Sequence, residues 1–508
     1  MEILRELDTT KRFFVAVALI IVFFVFYDRF ISPRPKYVKN LDNNETEQVG
    51  LGITLPKITQ DKKNIIANIQ TKDANFSIDN LGRIAVALYQ EKGRAGYISL
   101  FNSKFTLPLE VRFANLQVNK EAFEVNYVAD RPFVDAKDKE QSIVLIQKLK
   151  DLTLTKKITF YPKGNYLLEV STDKPEKFFI TPGFRPDHEV DSISVHGSLV
   201  LENDDTLESI EDGDADGDEV FPASKMVSSF DRYYTTLFYN FKDPFSVHYD
   251  KILNDDPLAF VKSDNSKVLV GGYIGPKNVN LLRSINPQLV RAVEYGVLTF
   301  LSAPLFSFLD LIHSYVGNWG WSIIVFIFLV KVILYPLSYK GMVSMAKLKE
   351  LAPKIKELQA KYKGDSQKLQ IHMMELYKKH GANPMGGCFP ILVQIPIFFA
   401  IYRVLVNSIE LRGSHWLYIQ DLSAMDPYFI LPILMGASMF LQQRMTPSNF
   451  ADPTQERIMK YLPVIFTIFF IKFPSGLVLY WFANNILSII QQFFVNKTIA
   501  KHKALKND

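Results

Sequence analysis

Between Trp319 and Leu337 runs an almost unbroken apolar stretch holding a single charged residue, Lys331. A stretch of this length suits a helix crossing a hydrocarbon layer about 30 Å thick at about 1.5 Å per residue. In lipid a helix is one of the few elements that satisfies its own backbone. Further apolar runs follow at 389–407, 428–441, 459–473 and 477–495. An earlier one, Phe13 to Tyr27, is flanked by Lys11 and Arg12 before it and by Asp28 and Arg29 after it. A basic flank and a short apolar core also suit a cleaved signal peptide. Yet Tyr27-Asp28-Arg29-Phe30 offers no small-residue cleavage site, and with Phe30 and Ile31 the run just reaches across. The expectation is an α-helical polytopic membrane protein with six transmembrane helices, the first an uncleaved anchor over residues 1–32.

Basic residues orient such a chain, because cytoplasmic loops carry the excess of Lys and Arg. From Lys340 to Lys379 ten lysines face four acids, a balance of +6, whereas 410–426 carries one arginine and three acids, a balance of −2. The lysine-rich loop is therefore expected inside and the acidic one outside. Counting spans places both termini and the basic tail 497–508 in the cytoplasm, and the long stretch after the first span outside.

That long stretch changes character. Residues 33–64 are polar and read as a linker. Over 65–285, short alternating runs recur: Leu152 to Phe160, Glu124-Val125-Asn126-Tyr127 and Lys267-Val268-Leu269-Val270. Turn signals such as Asn80-Leu81-Gly82 and Pro162-Lys163-Gly164-Asn165 separate them, which predicts a large all-β sandwich domain. Within it, Glu202 to Glu219 holds ten acids and no base. The alternate carboxylates from Asp212 to Gly217 resemble the start of a calcium loop, but the twelfth loop position is Ala223 rather than glutamate. The plainer expectation is a solvated surface loop. After Lys277 the pattern turns helical, and Val290, Val293, Val297 and Leu301 predict amphipathic helices along a membrane surface over 286–316.

The single cysteine, Cys388, excludes an intrachain disulfide, and no cluster suits a structural metal. Glycine-rich phosphate loops and nucleophile–base spacings are lacking as well, so ATP-driven transport, covalent catalysis and a cofactor have no support. A solute transporter predicts internal repeats and broken midplane helices, which the sequence does not display. A carbohydrate-active outer domain would need paired carboxylates or a His–Glu pair; His188, His196 and His248 are present, but nothing marks them as a set.

Lys331 carries the most chemical information. It lies about 13 Å of helix from Lys340 at the cytoplasmic end, farther than a lysine stem snorkels. A lone charge at that depth costs at least about 2.5–3.5 kcal/mol unless it meets water or a partner. No acid lies inside another span, so a wet cavity within the helix bundle is the reading favoured over a shallow anchor. Gln394, Asn484 and Asn485 either line that cavity or form interhelical hydrogen bonds. Arg403, near an outer end, is explained by snorkelling. The loop 341–383 reads as a helical hairpin: Met345, Leu348, Leu351, Ile355, Leu358 and Tyr362 form one stripe, and Leu369, Met373 and Leu376 a second. Its basic faces either set orientation or meet anionic lipid, ribosomal RNA or acidic partners.

From Tyr295 to about Val495 the chain resembles the insertase family whose bacterial branch is the YidC type and which includes mitochondrial and chloroplast insertases. The resemblance rests on Val316-Gly-Asn-Trp-Gly320, Tyr335-Pro-Leu-Ser338, Ser344-Met-Ala-Lys347, Leu351-Ala-Pro-Lys354 and Asn383-Pro-Met-Gly-Gly-Cys388. It continues through Ile409-Glu-Leu-Arg412, Asp421-Leu-Ser423, Asp426-Pro-Tyr428, Leu431-Pro-Ile-Leu-Met435 and Phe473-Pro-Ser-Gly-Leu-Val-Leu-Tyr480. A large outer β domain resembles the Gram-negative form. The resemblance implies a five-helix core over 317–496 enclosing a hydrophilic groove, open to cytoplasm and lipid and closed outward. In that family a basic residue of the second span, usually arginine, attracts a substrate's polar tail, and Lys331 stands there with the charge but without arginine's fork. Trp481 and Gln394 fall where groove residues are expected, with Asn484 and Asn485 beside them. Phe398, Phe466 and Phe469 would form the slide for an apolar segment. The hairpin lysines Lys347, Lys349, Lys354 and Lys356 would meet the ribosome, the Sec translocon or lipid. Nascent membrane proteins are the implied substrates, DNA is not an implied partner, and the implied location is the bacterial inner membrane.

Overall fold

The structure, a computed structural model, describes the short strands Gln48–Val49 and Ile53–Thr54 and residues 64–91, 96–101, 105–187, 194–263, 266–293, 295, 298–362, 364–380, 384–445 and 453–507. The anchor 1–32 and most of the linker 33–64 therefore lie outside the described residues. The chain divides into two compact units at Tyr295.

The first unit is built from two sheets, one of thirteen strands and one of five among the described residues. In strand Thr153–Phe160 the residues Leu154, Lys156, Ile158 and Phe160 turn inward while Thr153, Thr155, Lys157 and Thr159 do not, the period of two that a half-buried strand requires. The turn at 162–165 closes it onto Asn165–Thr172 with Gly164 at φ 82°. Phe76 of the smaller sheet stacks on Phe160 of the larger at 5.7 Å between ring centroids, which makes the two layers one sandwich core. At Gly272 the Tyr166 ring fills the place a Cβ would take, so only glycine fits there.

Two expectations for this unit are corrected. Residues 116–124 form helix α1, Leu116–Glu124, and Val125 is its extended cap, so 124–127 is not a strand. Asn115 caps the helix by accepting from the N–H groups of Gln117 and Val118, and that local cap outweighs a four-residue alternation. The acidic run is not merely a solvated loop either. Leu207–Glu211 pairs with Gly197–Glu202. Asp212 is buried and accepts from Arg185 Nε at 2.6 Å, with His196 Nδ1 at 3.0 Å. Glu219 turns its carboxylate back to the N–H groups of Asp216 and Gly217, both at 2.8 Å. Among the described residues, no three His, Cys, Asp or Glu side chains converge as a metal-ligand set.

A fully buried cation was not foreseen. Lys156 donates to the carbonyls of Gly82 at 3.0 Å and Leu109 at 2.7 Å and lies 4.5 Å from the centre of the Tyr127 ring. Gly82 and Leu109 both have left-handed backbone, φ 67° and 70°. Burial pushes the Lys156 ammonium down to about 7, against the opposing pull of Asp79 and Glu110, with Arg83 reinforcing the drop.

Helix α2, Val279–Ile285, and the 3-10 turn Pro287–Ala292 belong to the same unit as the sheets, which runs to Glu294. A single amphipathic helix through 290–301 is not formed. Val293 is extended (φ −88°, ψ 97°), and the next helix, α3, is Thr299–Val316.

The second unit is helical: α3 is followed by α4 Trp319–Ile333, α5 Tyr335–Glu350, α6 Ala352–Lys361, α7 Ser366–Lys379, α8 Pro384–Asn407, α9 Ile430–Met445, α10 Pro453–Phe470 and α11 Ser475–Asn507. The expected span 319–337 breaks at Leu334, where α4 and α5 meet at 68°. Pro336 explains the break, because its ring clashes with the carbonyl four residues back and it donates no hydrogen bond. Pro353 likewise starts α6 afresh, so the stripe from Met345 to Tyr362 is shared by two helices. Helix α11 continues through the expected basic tail to Asn507. Among the described residues, Ser475–Ile499 alone is long and apolar enough to cross a membrane; α4 and α5 qualify together, and Gln394–Asn407 and Lys460–Phe470 are shorter apolar segments.

Small residues let these helices approach. Ser302 of α3 donates to the Ala400 carbonyl of α8 at 3.1 Å. The Trp416 ring occupies the Cβ position of Gly320, and the Thr467 hydroxyl occupies that of Gly436. The acidic loop folds back on itself: Asp426 accepts from Tyr418 Oη at 2.8 Å and from the N–H groups of Tyr428 and Leu431. Ser475, opening α11, donates through N and Oγ to the Ala424 carbonyl.

Candidate functional site

Lys331 stands in the last turn of α4, opposite a polar stripe on α11. Asn484, Asn485, Ser488, Gln491 and Gln492 recur at helical spacing within the apolar first part of that helix. Lys331 Nζ donates to Ser488 Oγ at 2.8 Å. The Ser488 proton goes to the Asn484 carbonyl at 2.7 Å, so the hydroxyl meets the ammonium with a lone pair. Asn485 takes the structural alternative: it is buried and donates to Ser438 Oγ of α9 at 3.0 Å, tying α9 to α11. Gln492 donates to Asn496 at 2.8 Å, and the buried Gln491 Nε2 has no hydrogen-bond partner among the described residues. Gln394 is half-buried on α8, and no hydrogen bond among the described residues joins it to Lys331.

The second part of the site is aromatic. Trp481 lies seven residues before Ser488, two turns and about 10 Å along the same face. It packs 4.7 Å from Phe398, 4.9 Å from Phe470 and 5.8 Å from Phe466. The expected groove residue Trp481 and the expected slide residues Phe398 and Phe466 thus form one cluster on α8, α10 and α11. Phe469 is largely exposed and touches Phe470 and Phe473 at 5.5 and 4.9 Å. Sequence reasoning missed Phe470, although its four-residue step from Phe466 announces a shared face, and those rings stack at 6.0 Å. It also missed Ser488. Arg403, expected to snorkel, is instead buried at 8% exposure, because α8 packs it inward rather than leaving it at a rim.

In the hairpin, Lys347 and Lys354 are exposed, and the side chains of Lys349 and Lys356 lie outside the described residues. His380 Nδ1 lies 2.9 Å from the Leu376 carbonyl and Nε2 lies 3.2 Å from Lys354 Nζ. The first is a donor geometry, which leaves Nε2 to accept from the lysine and clasps the two arms. Tyr362 stacks on His372 at 4.7 Å across the turn. In the outer unit His196 pairs with Asp212 while His248 faces Ser246 and Phe179, so the two have separate surroundings; His188 lies outside the described residues.

The model of the 60Kd inner membrane protein family matches residues 311–503, and that of the YidC periplasmic domain matches residues 234–308. The membrane protein insertase YidC of Campylobacter jejuni is 50% identical over 514 residues, covering 97% of this chain and 96% of that protein. Its namesakes from Wolinella succinogenes and Helicobacter pylori (strain 26695) are 49% and 43% identical over 521 and 540 residues. These cover 98% of this chain in both cases, and 97% and 98% of the respective relatives. Identity at this level along nearly the whole length, with both family models in order, means that the chain belongs to the YidC family of membrane protein insertases.

Proposed function

We propose that this chain inserts integral membrane proteins into the bacterial inner membrane and helps them fold, alone or with the Sec translocon. The observation that carries the reading is the ammonium of Lys331, set against a polar stripe beside an aromatic cluster. A charge kept at such a place against its solvation cost marks a polar path.

The process has no chemical step. A nascent chain docks at the cytoplasmic hairpin through Lys347, Lys349, Lys354 and Lys356, where the ribosome, the Sec translocon and anionic lipid compete for the same basic surface. Its polar tail enters a groove formed by Lys331, Gln394 and Asn484, with Asn485 holding α11 to α9 behind it and Trp481 at the boundary to the aromatic surface. Its apolar segment leaves along Phe398, Phe466 and Phe469 into lipid. Burial of about twenty apolar residues supplies the drive, at about 0.8 kcal/mol per CH₂. Buried Leu411, Trp416, Ile419 and Leu422 in the acidic loop support closure of the outer end. Six spans, with 1–32 as anchor and both termini cytoplasmic, complete this reading; the short Lys460–Phe470 segment is accommodated by local bilayer thinning.

Reconstitution in liposomes tests it. A short single-span substrate with an acidic tail is offered, and protection of that tail from protease is scored for wild type, Lys331→Ala and Lys331→Arg. Protection above empty liposomes, lost in Ala and kept in Arg, is the expected result. Full protection with Ala reduces Lys331 to an anchor, and no protection with any version across several substrates refutes insertion.

A further inference from the structure

We propose that Ser488 is the positioning residue for the Lys331 charge, holding the ammonium in the groove without neutralising it. The proposal rests on the reading of Lys331 given above. A lysine carries a compact charge on a flexible four-carbon stem, so its own backbone does not fix where the ammonium points. Lys331 sits in the last turn of α4, two residues from its end at the break before α5. Its Nζ is nevertheless directed at α11, 2.8 Å from Ser488 Oγ.

The serine is fixed on both sides. It is buried, and its one proton is committed to the Asn484 carbonyl at 2.7 Å, which turns a lone pair toward the ammonium. One turn earlier Asn485 ties α11 to Ser438 of α9 at 3.0 Å, so the hydroxyl cannot follow the lysine outward without breaking an interhelical bond. A carboxylate in the same place would hold the lysine as well but would cancel its charge. A hydroxyl leaves the full charge, and two further N–H groups, for an incoming acidic or carbonyl-rich tail. An arginine would need this less, since its planar fork is pre-organised; a serine partner is what lets a lysine serve at this position.

The test is the liposome assay on full-length protein with two substrates, one with an acidic tail and one whose tail is neutral. Variants are Ser488→Ala, Ser488→Thr, Lys331→Ala and the Lys331→Ala/Ser488→Ala double. Ser488→Ala should lower insertion of the acidic substrate about tenfold or more, the loss of one hydrogen bond to a charged group. The neutral substrate should be unaffected, Ser488→Thr should restore the acidic one, and the double variant should equal Lys331→Ala. Equal loss for both substrates makes Ser488 a packing residue and overturns the proposal. Wild-type behaviour of Ser488→Ala alongside an impaired Lys331→Ala overturns the positioning role and leaves the charge reading standing. Wild-type behaviour of Lys331→Ala removes both.

Discussion

The fully buried Lys156 makes the stability of the outer unit depend on pH in a window where few other groups titrate. Its ordinary value is 10.5, and burial brings it to about 7 in the folded chain. Between those values the unfolded chain holds a proton that the folded chain has released, so stability rises with pH there and is flat below about 7. From pH 7 to pH 9 the gain is about 2 kcal/mol, allowing for half-protonation at the lower end. The neutral amine keeps two N–H groups, as many as the Gly82 and Leu109 carbonyls need. Lys156→Met matches the length of the stem but leaves both carbonyls without a donor, at about 1–3 kcal/mol each. Pulse proteolysis of the full chain in urea, following a fragment of the β unit, reads the difference. Wild type should gain on Lys156→Met by about 2 kcal/mol between pH 7 and pH 9. Parallel slopes for the two proteins would refute the argument, because the ammonium would then titrate alike in folded and unfolded chains.

The Asp256 carboxyl is pushed up to about 7 by burial and by the nearby Asp212 charge. It therefore keeps a proton that the unfolded chain loses from about pH 4 upward, and its stabilising contribution is gone above about 7; Asp256→Asn should exceed wild type in outer-unit stability at pH 8 and approach it at pH 4 in the same proteolysis assay. Gly320→Ala places a methyl group inside the Trp416 ring and should destabilise the helical unit by about 1–3 kcal/mol, read as a lowered midpoint in thermal unfolding in detergent. Trp481→Ala removes the ring shared by Phe398, Phe466 and Phe470 and should cost about 2 kcal/mol for a half-buried aromatic, whereas Trp481→Phe should retain most of it; denaturant titration of the purified protein decides.

Elements with a clear period were legible. The strands at 153–160 and 267–276 and the two hairpin arms follow from alternation and from the three- and four-residue step, and the turns at 80–82 and 162–165 from glycine chemistry. Where a local signal competed with the pattern, the pattern lost. Asn115 started a helix ahead of a strand-like run, Pro336 and Pro353 interrupted helices that hydropathy joined, and the extended Val293 ended the 3-10 turn. Each of those is a single-residue effect on backbone geometry, which a hydrophobic average over many residues does not register. The two roles separated on the sequence, groove and slide, also merged at Trp481, because ring contacts between α8, α10 and α11 depend on tertiary packing rather than on spacing.

The partner of Lys331 illustrates a different kind of limit. A buried charge prompts a search for an opposite charge, and the spans contain none. The search should have included hydroxyls, yet a serine in an apolar helix is ordinarily explained by a hydrogen bond to its own carbonyl four residues back. Ser488 makes that very bond, to Asn484. By sequence it therefore looks already satisfied. A hydroxyl, however, has two lone pairs as well as its one proton, so satisfying the donor leaves the acceptor free. The self-bond that hides Ser488 from sequence reasoning is the same bond that aims its lone pair at Lys331. Small polar residues in a membrane helix are thus best read by the lone pairs left over once local bonds are counted. By that criterion Ser488 and Ser438, each donating within its own helix and accepting from another, are the positions that join α11 to α4 and to α9.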